Sequence, residues 1–540
     1  MEKAALLKDI SFTLAVAIFC FFSLYGTLDM NPFGINMDSD LQNYAQILAA
    51  SDHPEAFPTD PIVPLLPKDP GVPNLLTILA AWLHPTDNVA TNLLCIGALA
   101  IFLHYMTYYL LGRWLFKSAS LSALLSLVMS LTVYWAYGTF WGILHSDPVP
   151  RYFFAIILPL LTCFACIAVR RICLRPLVML MAGLCMFIHT VSTLMFGPML
   201  FFAFFCLRQG RSICTHLALT LLNGVCFSLP VIVYLCWLLG GENTMPYETA
   251  LFTSVRAFRF AEDFGRLWLP LRDTFLLYCH APPILPVGVL CSCLVWRHRH
   301  ALTSRQRDFS SLFPGFVLGM AVMCLVCAVE ITIAAALGKN NMSQEILRGT
   351  RFLVPLSWFM DILALSFLWR YVPGTLKACV LAASVVCLFV FAQDKQILAF
   401  RHGIALMTHC QWLDTPAAEM MVRQSALQRE ALDALKRNAR KGELVFNDGD
   451  LMAVRYAAHC NMLPIHKDGN IIYYTHNEEL ARLWLSMQET ISKGPDGWIK
   501  AWKDSGASLL LTDKTPSRRE IEQSAELLYS NEKWLLFRRH

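Results

Sequence analysis

The sequence predicts an α-helical polytopic membrane protein with about eleven transmembrane helices and a small C-terminal α/β domain. Of its 540 residues, 56% are hydrophobic and 15% are charged, whereas about a quarter of the residues of a soluble protein are charged. Apolar segments of roughly twenty residues, enough for one crossing each, recur to about residue 393. Basic residues gather in alternate loops between these segments, which is the pattern of a multi-pass protein.

The predicted membrane segments follow the apolar runs in chain order. No small-residue cleavage site follows the first run, so we expect it to remain as a helix. The shorter stretch Asn74–Trp82 is expected to lie in the membrane interface. The predicted crossings are residues 10–28, 91–112, 119–138, 151–169, 176–191, 193–207, 213–239, 279–296, 313–337, 352–369 and 376–393.

The loop charges predict the orientation. Lys3 and Lys8 precede the first segment, and further basic clusters occur at 113–117, 170–175, 208–211, 297–307 and 370–377. Cytoplasmic loops carry an excess of Lys and Arg, so these loops are expected inside. An odd number of crossings then puts the C-terminal domain, 394–540, on the opposite face from the N-terminus. The predicted outer loops are 29–90, 139–150, 240–278 and 338–351.

The C-terminal domain is predicted as α/β, since short β-branched runs alternate with amphipathic ones. Strands are expected at Glu443–Asn447, Met462–His466, Ile471–Thr475, Ser508–Thr512 and Trp534–Phe537. Helices are expected at Asn477–Ile491, with Asn477 as the cap, and at Thr515–Ser530. This alternation favours a small, largely parallel sheet.

The first outer loop, 29–90, is strongly acidic, with eight Asp or Glu residues and one lysine. Asp38 and Asp40 follow the first helix closely. A carboxylate there can take a proton from a hydroxyl or bind a divalent cation. A solvated acidic loop, or Asp40 as a helix cap, explains the same residues. Asp60 lies between Pro58 and Pro61, where it is either a further catalytic candidate or a turn former.

Arginines occur on the outer side, where the positive-inside rule disfavours them. Arginine forks match phosphate oxygens, so these residues are candidates for holding a lipid-linked phosphate. Pairing with Asp147, or salt bridges along an amphipathic helix at 256–266, are the structural alternatives. The candidates are Arg151, Arg256, Arg259, Arg348 and Arg351.

Ionisable residues within the predicted membrane region include His104, His189, Glu330 and Asp361. Such groups usually face the interior of a helix bundle. They are candidates for lining a cavity or, alternatively, for structural pairing. They also leave open a transporter or flippase for a lipid-linked or anionic solute, and a third reading is a non-catalytic assembly protein. Nucleotide, nucleophile-elbow and zincin motifs do not occur in the sequence, and no nucleic-acid pattern is evident.

Three stretches carry a family resemblance: Asp52–Asp60, Ala182–His189, and Arg455 through Lys467-Asp468-Gly469. With the layout of first helix, long acidic outer loop, helix bundle and outer C-terminal domain, the chain resembles the GT-C superfamily of membrane glycosyltransferases. The stretches look like an uncharacterised bacterial branch of it. Arg455 and Lys467 are therefore further cavity candidates.

The resemblance implies a reaction and a location. Asp38 or Asp40 would deprotonate the hydroxyl of a saccharide or protein acceptor, and the outer arginines would hold a polyprenyl-phosphate-linked sugar donor. Inversion at the anomeric carbon is expected, because one base and one displacement suffice. The resemblance implies no certain cofactor, although a divalent cation is compatible with it. It places the protein in a bacterial inner (plasma) membrane, with the C-terminal domain in the periplasm.

Overall fold

The computed structural model describes most of the chain. The described residues are 2–32, 39–68, 75–83, 89–136, 139–144, 149–210, 212–239, 248–260, 268–280, 283–337, 343–391, 394–447, 451–494, 497–513 and 521–540.

Helices dominate the described residues, and the strands are short. In the N-terminal part the elements are α1 (Glu2–Met30), α2 (Ser39–Asp52), α3 (Leu75–Trp82), α4 (Val89–Phe116), α5 (Ala119–Leu131), β1 (Tyr134–Ala136), β2 (Thr139–Trp141), α6 (Arg151–Arg170), α7 (Arg175–Leu184), α8 (Thr190–Phe205) and α9 (Ile213–Leu239). The middle part contains α10 (Thr249–Phe260), α11 (Trp268–His280), α12 (Ile284–Arg297), α13 (Ser304–Ala336), α14 (Gln344–Leu347), α15 (Leu353–Leu368) and α16 (Gly374–Phe391). The C-terminal part contains α17 (Asp394–Thr408), α18 (Pro416–Asn438), β3 (Leu444–Asn447), α19 (Ala453–Tyr456), β4 (Asn461–Met462), α20 (Gly469–Thr475), α21 (Glu478–Ser492), α22 (Gly497–Ser505), β5 (Leu509–Thr512), β6 (Ala525–Ser530) and β7 (Leu535–Arg539).

The chain forms two compact units. The first comprises residues 1–21, 98–239 and 264–397, and the second comprises 22–97, 240–263 and 398–540. The second unit therefore combines the first loop, a segment of the third loop and the C-terminal residues. The first unit contains the remainder of the helical segments that the sequence predicts as crossings.

Each of the eleven predicted crossings overlaps a helix, which confirms a helical, multi-pass membrane protein. Within the described ranges, six helices are long and apolar enough to span a bilayer on their own: Leu6–Met30, Val89–Phe116, Arg151–Arg170, Ile213–Trp237, Ser304–Ala334 and Arg348–Leu368. Shorter apolar helices occupy the other predicted segments.

The predicted crossing 119–138 is wrong in its second half. Helix α5 ends at Leu131, and the chain continues as an antiparallel hairpin in which Tyr134 pairs with Trp141. The residues after Thr132 are Val-Tyr-Trp, types that favour extended backbone over helix. The hairpin contacts the short 3₁₀ helix Arg348–Phe352, which leads into α15.

The core of the first unit is aromatic around this 3₁₀ helix. Phe352 lies with its ring centroid 5.9 Å from the rings of Phe154 on α6 and Phe196 on α8. Phe196 also stacks on Phe316 of α13, at 5.9 Å. Aromatic side chains bury large apolar areas and pack in defined geometries. These contacts fix the position of the residue before Phe352, Arg351.

A buried arginine ties together helix ends at the other side of this core. Arg175, which is 1% exposed, begins α7 and donates to the carbonyl oxygens of Ala168 at 3.2 Å and Leu207 at 3.2 Å. The last carbonyls of a helix have no intrahelical partner. A guanidinium therefore stabilises these helix ends by both hydrogen bonds and charge.

The second unit contains a five-stranded sheet of order β4-β3-β5-β7-β6. The pairs β3–β4 and β3–β5 are parallel, and β5–β7 and β6–β7 are antiparallel. The sheet is therefore mixed rather than largely parallel. Three of the predicted strands are confirmed, at 444–447, 509–512 and 535–539. The predicted helix cap is confirmed as well, because Asn477 accepts a hydrogen bond from the Leu480 amide at 3.0 Å.

Two predicted elements of this unit are wrong. Ile471–Thr475 belongs to helix α20, and its first three residues pack in one core with Leu480 and Trp484 instead of pairing with a strand. The predicted helix Thr515–Ser530 contains β6 at its end, and residues 514–520 lie outside the described ranges. The predicted strand 462–466 is reduced to the two residues of β4.

Helix α17 crosses the end of α1 at two glycines of the second unit. A Cβ on Gly26 would lie 2.0 Å from the Ala399 carbonyl oxygen, and one on Gly403 would lie 2.0 Å from that of Phe22. Only glycine allows backbones to approach this closely. This crossing brings His402 against the last turn of α1.

His402 links two carboxylates at this crossing. Its Nε2 lies 2.9 Å from Asp29 Oδ2 and its Nδ1 lies 3.0 Å from Asp414 Oδ1, and the histidine side chain is 4% exposed. Hydrogen bonding to Asp29 raises the pKa of His402; burial opposes this effect, and Asp414 adds to it. The imidazolium form thus holds α1, α17 and the following turn together.

This linkage predicts a pH-dependent stability. Folding raises the pKa of His402. The stability that the protonated histidine contributes is therefore complete below the pKa of the unfolded state, about 6.5, and is lost as the pH rises through the pKa of the folded state. Thermal unfolding of the detergent-purified protein should show a midpoint that falls over that range. Asp29→Asn should weaken the fall.

The control is His409→Asn. His409 is exposed near the end of the same helix, and its φ of 56° is tolerated by asparagine. A pH profile that is the same in Asp29→Asn and the wild type would contradict the linkage.

Candidate functional site

The candidate site in the first unit is a group of three arginines. Arg151 begins α6 after Pro150, and Arg348 and Arg351 lie on the 3₁₀ helix before α15. Arg351 is 3% exposed and lies within electrostatic range of Arg151 and Arg348. Gathering like charges in a buried place costs free energy, which a bound anion offsets.

Neighbouring side chains orient two of the guanidinium groups. Arg351 donates from Nη2 to Ser192 Oγ at 2.5 Å. The Arg151 guanidinium lies 4.1 Å above the ring of Phe140, on β2. The ring contact and the hydrogen bond define how the planar guanidinium groups are oriented, and each guanidinium carries five N–H donors.

A small cavity adjoins these groups. It has a volume of about 20 Å³, which is room for about one water molecule. A phosphate group is larger, so its entry requires the arginine side chains to move apart. The lining includes His104, Trp141, Arg151, Tyr152, Ser192 and Arg351.

His189 supports this site indirectly. Its Nδ1 accepts the backbone N–H of Ser192 at 3.1 Å, so the imidazole caps α8. The capped turn presents the Ser192 hydroxyl to Arg351. The role of His189 in the described structure is therefore to position Ser192, beside the site.

The two predicted membrane acids have local roles. Glu330 Oε2 accepts the backbone N–H of Ser343 at 3.3 Å, which joins α13 to the turn before α14. Asp361, on α15, is hydrogen-bonded to the thiol of Cys291 on α12. Neither contact by itself indicates a proton-coupled pathway.

Asp60, predicted as a catalytic candidate or a turn former, has structural contacts in the second unit. Its side chain is fully buried. Oδ1 accepts the backbone N–H groups of Ile62 at 2.9 Å and Val63 at 3.1 Å. Oδ2 accepts Arg455 Nε at 2.8 Å and the Met462 amide at 2.9 Å. Four donors therefore occupy this carboxylate, which fits the turn-forming alternative.

Arg455, predicted as a cavity residue, is the centre of the same buried network in the second unit. Its Nη1 donates to Asp468 Oδ2 and Gln46 Oε1, both at 2.9 Å. Burial opposes the charge of Arg455, but the carboxylates of Asp468 and Asp60 raise its pKa above the usual value. The guanidinium thus joins α2, the first loop and the C-terminal segment.

Of the other site residues that the sequence predicts, some lie within the described ranges and others do not. Arg256, 6% exposed on α10, donates to the Tyr473 hydroxyl at 3.4 Å within the second unit. Lys467 is half-buried in the 3₁₀ helix His466–Asp468. Asp38 and the side chains of Asp40 and Arg259 lie outside the described residues. Of the predicted phosphate-binding arginines, Arg151, Arg348 and Arg351 belong to the first unit and Arg256 belongs to the second.

Among the described side chains, no three His, Cys, Asp or Glu residues are grouped to hold a metal ion. Cys410 and Cys460 are both free thiols.

Sequence reasoning missed Gln46 and the hairpin residue Trp141. Gln46 appears in the sequence as one polar residue of an amphipathic helix, and its contact with Arg455 spans 409 positions. Trp141 was missed because it follows a segment that was predicted to be a membrane helix. The Val-Tyr-Trp run in that segment favours a strand and could have indicated the hairpin.

The comparisons with known proteins are sparse. No model of a known protein family matches the sequence, and no curated protein matches it. Among solved structures, the chain is similar to the crystal structure of ArnT from Cupriavidus metallidurans bound to undecaprenyl phosphate. The TM-score is 0.40 at 9% sequence identity, over 97% of both chains. Similarity at this level does not identify a family.

A stability measurement tests whether Asp60, in the buried network with Arg455, has a structural or a catalytic role. Asp60→Asn removes one charge from a buried pair and should lower the free energy of unfolding by about 3–5 kcal/mol. Urea unfolding of the purified protein measures this loss. Glu55→Gln, in the same loop but with a 71% exposed side chain, should change it by less than about 0.5 kcal/mol. Wild-type stability combined with lost activity in Asp60→Asn would instead make Asp60 catalytic.

Proposed function

We propose that this protein transfers a sugar from a polyprenyl-phosphate-linked donor to a saccharide or protein acceptor at the outer face of a bacterial plasma membrane. The observation that carries the proposal is the group of the buried Arg351 and the half-buried Arg151 and Arg348 in a multi-pass membrane protein. The family resemblance of the sequence, to GT-C glycosyltransferases, supplies the reaction type.

The arginine group supports a phosphate ligand. Guanidinium groups bind phosphate oxygens through paired N–H donors, and such charge-assisted bonds are roughly twice as strong as neutral ones. Arg348 and Arg351 are separated by one turn of the 3₁₀ helix, so both start from the same short backbone segment. The lipid chain of a polyprenyl donor would remain in the bilayer while its phosphate is held by these residues.

The general base is proposed to be Asp38 or Asp40. Both follow α1 in the acidic first loop, and Asp40 lies in the first turn of α2. Either carboxylate would take the proton of the acceptor hydroxyl as that oxygen attacks the anomeric carbon. The phosphate leaves with the bonding electrons, the arginines stabilise its charge, and one displacement inverts the anomeric centre.

The reaction gives one test of both groups. Arg351→Gln removes a fork and a charge, and it should lower the transfer rate at limiting donor about 100-fold, by weakening phosphate stabilisation. The general base is located by the variants Asp38→Asn and Asp40→Asn and by the double variant. Substitution of the aspartate that acts as the base should lower the transfer rate by a factor of about 10²–10⁴. The measurement is transfer of labelled sugar from polyprenyl-phosphate-linked donors to membrane acceptors.

The matched control for the arginine is Arg272→Gln. Arg272, on α11, is 60% exposed and pairs with Asp273, so its loss should leave transfer unchanged. Full activity in Arg351→Gln would contradict the proposed phosphate site. Full activity in both single aspartate variants and in the double variant would contradict the proposed general base.

The proposal also requires sidedness. The N-terminus is proposed to be cytoplasmic and the C-terminus periplasmic, as the loop charges predict. Alkaline phosphatase fused after His540 should be active, since it folds only outside the cytoplasm, and a fluorescent protein fused there should be dark. The reverse pattern would place the C-terminal residues in the cytoplasm and defeat the outer-face reaction.

A further inference from the structure

Four polar side chains near the arginine group are buried to an unusual degree. Tyr278 is 0% exposed, Thr350 1%, Tyr134 3% and Trp141 4%. Among the described residues, the two tyrosine hydroxyls, the threonine hydroxyl and the indole N–H have no hydrogen-bond partner. Buried polar groups are nearly always paired, and each exception calls for an explanation.

These four groups belong to one place in the first unit. Tyr134 and Trp141 are opposite each other in the β1–β2 hairpin, so their side chains lie on the same face. The ring of Tyr278, on α11, lies 6.0 Å from that of Tyr134. The hairpin contacts the 3₁₀ helix that contains Thr350.

The cluster adjoins the arginine group directly. Trp141 lines the same cavity as Arg151 and Arg351. Thr350 immediately precedes Arg351 in the chain, and Tyr278 lies within electrostatic range of that guanidinium. A ligand whose anionic part is held by the arginines therefore has its neighbouring atoms beside these neutral polar groups.

The chemistry of the cluster is that of a neutral hydroxyl-binding site. Burial raises the pKa of Tyr134 and of Tyr278, so both hydroxyls stay protonated and can donate as well as accept. The indole N–H only donates, and the threonine hydroxyl does both. Aromatic faces beside such groups suit the C–H face of a sugar ring, because they combine apolar area with polar tips.

We propose that these four side chains form a hydroxyl subsite, which recognises the hydroxyl groups of a sugar attached to the phosphate that the arginines hold. This inference rests on the proposed function for the phosphate and goes beyond it by assigning sugar recognition to particular residues. The sugar phosphate can be lipid-linked or free, and the two sources are separated by the probes below.

The experiment measures dissociation constants of the full chain in nanodiscs. The lipid probes are decaprenyl phosphate and its hexose- and pentose-bearing forms, and the soluble probes are inorganic phosphate and hexose and pentose 1-phosphates. The wild type should bind at least one sugar-bearing probe about tenfold more tightly than its sugar-free counterpart, about the value of one good hydrogen bond. We call this ratio the sugar gain.

Isosteric variants remove single polar atoms from the subsite. Tyr134→Phe, Tyr278→Phe and Thr350→Val should each lower the sugar gain several-fold and leave the affinity for the sugar-free probe unchanged. Arg351→Lys should weaken both kinds of probe. None of the three isosteric variants removes a hydrogen bond within the described structure, so they should fold as the wild type does.

Tyr105→Phe is the matched control. Tyr105, on α4, is 1% exposed, and its hydroxyl is also without a partner among the described residues, but it is outside the hairpin, α11 and the 3₁₀ helix. It should leave the sugar gain unchanged. An effect of this variant equal to those of the subsite variants would show a general packing effect and overturn the inference.

The remaining outcomes separate the subsite from the proposed function. A wild type without a sugar gain for any probe, or variants that weaken both members of a pair equally, would overturn the subsite. A sugar gain with soluble probes alone, abolished by the variants, would support the subsite and refute a lipid-linked donor. A sugar gain abolished by the variants in a protein that shows no transfer would support the subsite and refute the transferase reaction.

Discussion

The burial of positive charge at Arg351 is the constraint around which the candidate site is organised. A guanidinium that is 3% exposed has lost most of its contact with water, and that loss must be offset by fixed partners or by a ligand. Ser192 supplies one hydrogen bond. His189 holds the turn that presents Ser192, and the Phe352 contacts with Phe154 and Phe196 hold the backbone on the other side. The residues near Arg351 thus fix its direction.

The second unit also contains a buried arginine, but the groups around it are different. Arg455 is as deeply buried, but two carboxylates and an amide oxygen surround it. A buried guanidinium with neutralising neighbours connects chain segments, and it has no need of an external anion. Arg351 instead has two other arginines within electrostatic range. Electrostatic surroundings, and not burial alone, therefore distinguish a candidate binding residue from a structural one.

Much of the fold was accessible from the pattern of residues. Long apolar runs cannot be accommodated in water, and in lipid they must form helices to pair their backbone groups, so the positions of the crossings could be predicted. The exceptions are instructive. The run 119–138 is mostly apolar and carries no charge, but Tyr134 and Trp141 form a strand pair. A buried extended segment and a buried helix have the same hydropathy, so the pattern does not separate them. Ile471–Thr475 is rich in residue types that favour strands and is nevertheless a helix, since packing with Trp484 overrides local propensity.

The candidate site was predictable in composition and not in arrangement. The sequence by itself determined that arginines occur where loop charge disfavours them, that acidic residues concentrate after the first helix, and that the chain is a multi-pass membrane protein. Only the tertiary structure decided that Arg151 lies near Arg348 and Arg351, and that Asp60 is paired with Arg455 across 395 positions. The physical reason is that hydropathy and charge act locally along the chain, whereas the pairing and desolvation of a charged group depend on residues that only folding brings into contact.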